Sequence, residues 1–281
     1  MFALIPALLR DAQAEQSLLR TLSRFPPNMP AALVLVTQGR QFSVPSLVGI
    51  RAVTHKHFDR PIGKWSAIRH GLSLIPSNID DPVLLLDADD PIADASMVSA
   101  FEAAALLHPD FMIGERKTIL LHADDQLGPQ SRVFVEIFSN TLLLLTLQVL
   151  RPIPDKGPDI QSGLYLLSGR ARRAISLEYV TDYGGELALY YELANAGLAP
   201  SSLAIETNKV TPSSYSVENI VRSIAALPFF RPVSRDRLLE ALHLAPRLYA
   251  RYLVQGSEEQ FRHEIVPALR RVFPAFAGEV T

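Results

Sequence analysis

Val83-Leu84-Leu85-Leu86-Asp87-Ala88-Asp89-Asp90-Pro91-Ile92 is the stretch whose reading sets the fold. Four consecutive aliphatic residues, preceded by Asp81-Pro82 and ended by a run of acids, read as a short strand buried on both faces. Such strands belong to parallel sheets, and open α/β sheets bind ligands at the carboxyl edge of their strands. Asp87 and Asp89 fall at that edge. Two residues apart, they share a face of a continuing strand, and a turn would also converge them on one ion. Carboxylate oxygens in this pattern suit Mg2+ or Mn2+ held jointly with a diphosphate. A turn of Asp and Pro that merely ends the strand is the simpler alternative.

Upstream of this strand, Pro61 to Ile75 reads as a helix with an apolar stripe of Trp65, Ile68, Leu72 and Ile75. Gly63 and Lys64 stand at its start, where free backbone N–H groups and a cation can meet phosphate oxygens. A lysine there conflicts mildly with the helix dipole, a local mismatch of the kind found at sites; the alternative is a solvated lysine. The region around His55, His57 and Asp59 reads as irregular. Ala32 to Thr37 is a strand closed by Gln38-Gly39-Arg40, Ala12 to Ser23 a helix, and Phe2 to Ile5 a first strand stopped by Pro6. Strand, helix and strand in this order open a βαβ crossover. The first turn, Pro6 to Asp11, has no G-x-G-x-x-G and no P-loop.

Downstream, Ala95 to His108 is a helix, and Phe111–Gly114 and Thr118–Leu121 are short strand candidates. His122, Asp124 and Asp125 read as a solvated turn rather than a metal cluster. Residues 133 to 150 read as a buried helix, and the proline-rich 151–158 as a loop, either a lid or a rigid excursion. Gln161, Ser162 and Gly163 precede the strand Leu164 to Leu167 and are candidates for a sugar or acceptor pocket. Arg170, Arg172 and Arg173 then open a helix, as anion ligands or as an exposed face. Asp182 and Glu186 share a face if the next helix, Leu187 to Ala196, starts early. Asp182 is otherwise a helix cap, and Glu186 is the better candidate for gripping an acceptor hydroxyl. Ser202 to Thr207 reads as a final strand. From Thr211 the pattern is helical, an appendage that covers the sheet or serves self-association as a homodimer.

Composition bounds the class. The 281 residues are 48% hydrophobic and 20% charged, the balance of an ordinary globular protein. A formal charge of -2 provides no field for nucleic acid or an acidic membrane. With no cysteine there is neither disulfide nor thiolate metal site. The start lacks a basic region before its apolar residues, against a signal peptide. The most apolar window, Thr141 to Leu150, is half the length of a membrane span. The expectation is a cytoplasmic protein without a transmembrane segment.

Four segments together resemble the GT-A nucleotide-diphospho-sugar glycosyltransferases, in particular family 2-like and glucosyl-3-phosphoglycerate synthase-like members. They are Ala3-Leu4-Ile5-Pro6-Ala7-Leu8, Gly63-Lys64-Trp65-Ser66-Ala67-Ile68-Arg69-His70-Gly71-Leu72, Leu84-Leu85-Leu86-Asp87-Ala88-Asp89 and Tyr183-Gly184-Gly185-Glu186. The resemblance implies an α/β fold of the GT-A, Rossmann-like type, with a mostly parallel sheet flanked by helices over residues 1–210 and a helical extension over 211–281. It implies metal-dependent transfer of a sugar from a nucleotide-diphospho-sugar to a hydroxyl acceptor. Asp87 and Asp89 match the D-x-D acids, with Asp89 as the direct contact to Mg2+ or Mn2+. Lys64 and Pro6 fall at nucleotide-side positions, and Asp182, Glu186, Gln161, Ser162, Gly163 and Arg170 on the acceptor side. If the reaction inverts, Asp182 or Glu186 is the base. The arginines favour a small anionic acceptor. Leu9-Arg10-Asp11 stands where the family pattern has asparagine and glutamate, and Asn208-Lys209 where many relatives have a histidine. A sugar-nucleotide nucleotidyltransferase would need a glycine-rich basic loop after the first strand, which Pro6 to Asp11 lacks. A non-catalytic binding or assembly protein on the same fold is the rival from another class.

Overall fold

The computed structural model describes residues 1–26, 32–47, 50–88, 95–116, 162–178, 180, 184–198 and 200–205. The chain divides into two compact units, and these residues all belong to the one built from Met1–Arg116 and Ser162–Thr211. Asp89, Gln161 and Asp182 lie outside the described residues, as do the strand expected at Thr118–Leu121, the helix expected over 133–150, the 151–158 loop and the helical extension.

Strands β1 (Phe2–Leu9), β2 (Ala32–Gly39), β3 (Ala52–Phe58), β4 (Val83–Leu86), β5 (Phe111–Arg116), β6 (Leu164–Leu167) and β7 (Pro200–Ile205) form one sheet in the order β3-β2-β1-β4-β6-β5-β7. All neighbouring pairs are parallel except those made by β6, which runs against both β4 and β5. Helices α1 (Ala12–Ser23), α2 (Lys64–Ser73), α3 (Ala95–Ala105), α4 (Gly169–Ala174) and α5 (Gly185–Asn195) accompany it. The expected α/β class and mostly parallel sheet are therefore present.

The aliphatic run at β4 is buried along its whole length, as are most of β1, β2 and β6. Alternate side chains of these strands serve two cores. Ala3, Ile5, Leu33, Leu35, Leu84 and Leu86 pack with Leu18 and Leu22 of α1 and with Val98 and Phe101 of α3. Leu4 faces α2, where Gly71 lets the helix approach: a side chain there would collide with the Leu4 methyls. Each fully buried aliphatic residue contributes roughly 1.5–3 kcal/mol, so the two cores, rather than helix propensity, hold the layers together.

Two strand expectations are corrected. Pro6 does not stop β1, which continues to Leu9. The Phe2 N–H donates to the Pro82 carbonyl, so even-numbered residues of β1 turn their N–H groups toward β4. Pairing with β4 ends at Leu4↔Leu85, while pairing with β2 runs on to Leu9↔Gly39. Pro6 thus ends one ladder, where its donor is missing, and leaves the other intact. The segment around His55 and His57 is a strand, β3, at the edge of the sheet. Its exposed Thr54, His55 and Lys56 carry no apolar run from which to read it.

Candidate active site

The carboxyl ends of β1, β2 and β4 open onto the start of α2, the amino end of the antiparallel β6 and the start of α5. There Lys64, the first residue of α2, sits between two carboxylates: its Nζ is 2.7 Å from Asp87 Oδ1 and 2.8 Å from Glu186 Oε1. Glu186 closes a second contact, with Trp65 Nε1 donating to its Oε2 at 3.2 Å. The three charged side chains are 16–25% exposed and Trp65 is fully buried. Among the described residues of the group, one positive and two negative charges sum to net -1.

Local structure explains each position. Gly63 precedes α2 with φ of 90°, a conformation that disfavours any side chain. The loop leading to it is held by Gln38, a buried residue at the end of β2 whose Oε1 accepts from the N–H groups of Ile62 at 2.7 Å and Gly63 at 3.1 Å. Glu186 occupies the first turn of α5, where the helix dipole favours an anion. Lys64 occupies the first turn of α2, where the dipole disfavours a cation, and the two carboxylates offset that mismatch. Asp87 follows β4, and its N–H donates to the Gly163 carbonyl at 3.2 Å. Gly163, with φ of 79°, presents its bare α-carbon to the Asp87 carboxylate; a Cβ would lie 2.5 Å from Oδ2.

Tyr165, the second residue of β6, completes the cluster, its phenol oxygen accepting from the Gly163 N–H at 3.4 Å. Burial, then the Glu186 carboxylate, push its pKa well above the ordinary tyrosine value, against a smaller opposing pull from Lys64. It therefore stays protonated. At Lys64, burial works against the charge, but Asp87 and Glu186 outweigh it and hold the ammonium well above the usual lysine range. Lys64 is a permanent cation and hydrogen-bond donor, not a base.

The structure brings together Lys64, Asp87, Gly163 and Glu186 of the residues expected from sequence. Pro6 lies buried within β1. Ser162 is buried, with its hydroxyl turned back onto the N–H and carbonyl of Leu164. Arg170 is elsewhere. Strand β6 pairs Leu164 with Leu86 and Leu167 with Val83, so it carries the chain to the opposite edge of the sheet, roughly 10 Å along the strands. There Arg170 pairs with Asp110 at 3.2 Å and Arg173 with Asp80 at 2.6 Å. Arg172 is buried against the carbonyls of Ile75, Pro76 and Ile79. Asp11 caps α1 through the Ala14 N–H. Trp65 and Tyr165 were legible only as core residues, and Gln38 only as a strand end.

No group of three His, Cys, Asp or Glu side chains able to hold a metal occurs among the described residues. The donors present still fit a hard divalent cation. Mg2+ is usually held by one or two carboxylates together with substrate phosphates rather than by an all-protein cage, and Asp87 offers such a carboxylate beside an excess of negative charge. Among the described residues no helix is long and apolar enough to cross a membrane.

Among the described residues, the sheet order and the one strand that runs against its neighbours, β6, are those of a GT-A-like α/β fold. Among solved structures the chain is similar to glucosyl-3-phosphoglycerate synthase from Mycobacterium tuberculosis in complex with Mn2+, UDP-glucose and phosphoglyceric acid. The TM-score is 0.55 at 15% identity, covering 80% of this chain and 78% of that one. The same enzyme with Mn2+, UDP and phosphoglyceric acid gives 0.51 at 15% identity, over 80% and 77%. A further mycobacterial protein gives 0.50 at 17% identity, over 80% and 73%. At such identities the likeness establishes the fold. No family profile matches the sequence, and no curated protein does.

Proposed function

We propose that this protein is a cytoplasmic glycosyltransferase that moves a sugar from a nucleotide-diphospho-sugar to a hydroxyl acceptor, with Mg2+ or Mn2+ held by Asp89 and Asp87. The observation that carries the reading is the Lys64 ammonium clamped between Asp87 and Glu186 at the carboxyl edge of a GT-A-like sheet. The clamp, at net -1, repels a diphosphate unless a cation accompanies it. When bound, the metal withdraws charge from the leaving nucleoside diphosphate. Lys64, kept protonated by its two carboxylates, donates a hydrogen bond to the same leaving group.

Both oxygens of Glu186 have donors, from Lys64 and Trp65. Glu186 therefore serves to hold Lys64 and to position the acceptor, and if the reaction inverts, Asp182 is the base. The similar synthase was solved with phosphoglyceric acid, which supports a small anionic acceptor. The arginines do not support it, because Arg170, Arg172 and Arg173 are engaged at the far edge of the sheet.

The test is a panel of nucleoside-diphosphate sugars with Mg2+ or Mn2+, with and without small phosphorylated or carboxylated alcohols. It reads nucleoside diphosphate release and thermal stabilisation. One donor is expected to stabilise the protein only with metal, and to turn over with an acceptor. If no donor binds, the transferase reading fails; if a donor binds and no acceptor promotes turnover, a binding protein on this fold is the answer.

A further inference from the structure

Trp65 is the one tryptophan of the chain and is fully buried at the start of α2. Its ring lies where a side chain of Gly185 would be: a Cβ built at Gly185 falls closer than 3.0 Å to three atoms of the indole. The two helix starts thereby meet directly, α2 through Trp65 and α5 through Gly185 and Glu186. A buried indole N–H needs an acceptor, and here the acceptor is one oxygen of the carboxylate whose other oxygen holds Lys64.

We propose that Trp65 is a positioning residue: its indole N–H fixes Glu186 Oε2, so that Oε1 keeps the Lys64 ammonium beside Asp87. A glutamate held by one donor swings about its side-chain torsions, whereas donors on both oxygens leave one orientation. A ring without the N–H would fill the same space and leave Glu186 free to turn. Donor-side α2 and acceptor-side α5 are then linked through both oxygens of Glu186. The inference rests on Lys64 acting on the leaving group as read above.

Because Trp65 is the sole tryptophan, biosynthetic replacement of tryptophan alters only this position. Two near-isosteres separate packing from hydrogen bonding: 5-fluorotryptophan keeps the N–H, and 3-benzothienylalanine replaces it with sulfur. With both proteins folded by circular dichroism, the fluoro protein is expected to match the parent. The sulfur analogue is expected to lose about ten-fold or more in kcat, the scale of a charge-assisted hydrogen bond, with donor KM within about two-fold. Equal activity of all three proteins, or an equal loss in both analogues, overturns the role of the N–H.

An ultraviolet resonance Raman measurement of the indole band sensitive to N–H hydrogen bonding supplies a readout that needs no turnover. It is expected to report a hydrogen-bonded indole in the parent and to shift in both Glu186→Gln and Lys64→Met. No shift in either variant overturns the relay from Lys64 through Glu186 to Trp65. A parent protein that binds no donor but shows both shifts refutes the transferase reading and leaves the relay standing.

Discussion

Replacing Gly185 by alanine sets two effects against each other, and the structure decides which wins. In a helix, alanine is favoured over glycine by roughly 0.5–1 kcal/mol, less in the first turn. Gly185 is the first residue of α5, so propensity alone predicts a small gain in stability. The added methyl group, however, meets Cγ, Cδ1 and Cδ2 of Trp65. That ring is rigid, 0% exposed and hydrogen-bonded to Glu186. Overpacking of a well-filled core costs about 1–3 kcal/mol. The net expectation is destabilisation by about 1–2 kcal/mol, which corresponds to a fall in Tm of roughly 2–8 °C for a chain of this size. Urea unfolding followed by circular dichroism measures it, as a lower midpoint with an unchanged slope. The sign should reverse in a Trp65→Ala background, compared in the same stabilising osmolyte, because the obstructing ring atoms are gone and only the propensity gain remains. An unchanged or raised midpoint for Gly185→Ala in the parent refutes the packing of the two helix starts.

Three further outcomes follow from the same geometry. Lys64→Met should lower kcat by about 100-fold or more, the scale of losing a donor aimed at developing charge; steady-state assays with the identified donor check it. Arg170→Ala should leave acceptor KM unchanged and stability within about 1 kcal/mol, because its pairing with Asp110 is exposed and lies at the far edge of the sheet; acceptor titrations and melting curves read both. His55, although largely exposed, is held below the ordinary value of 6.5 by the partial desolvation of its ring against Thr37 and then by the His57 ring. The folded state therefore takes up a proton less readily than the unfolded chain. Its contribution to stability is present above pH 6.5 and lost as pH falls through the lowered value. Melting temperature should drop on acidification, and His55→Gln should flatten that part of the profile.

The distance between reading and structure is clearest at particular residues. β4 was legible because four aliphatics between Asp81-Pro82 and a run of acids are too short for a buried helix and fit a strand covered on both faces, which puts Asp87 at its carboxyl end. α1 and α2 followed from helical spacing, and β6 from its apolar core. β3 was not legible, because an edge strand with half its surface in water needs no apolar run: Thr54, His55, Lys56 and His57 are held by backbone pairing to β2. Pro6 misled because proline ends a ladder on one side only, and which side depends on the neighbouring strand.

Sequence alone decides the class of this protein, since the period of its apolar residues dictates strands, helices and the edge at which the acids emerge. It also nominates Lys64, Asp87 and Glu186 separately, each by a local anomaly of charge. That these three are one device was decided by tertiary structure: Lys64 and Glu186 are 122 residues apart, and only the juxtaposition of α2 and α5 on the sheet closes that gap. The same structure turned the arginines of α4 away, because the antiparallel run of β6 carries them to the other edge. Charge pattern is local and can be read along the chain, whereas strand direction is a property of the sheet and sets which charges meet.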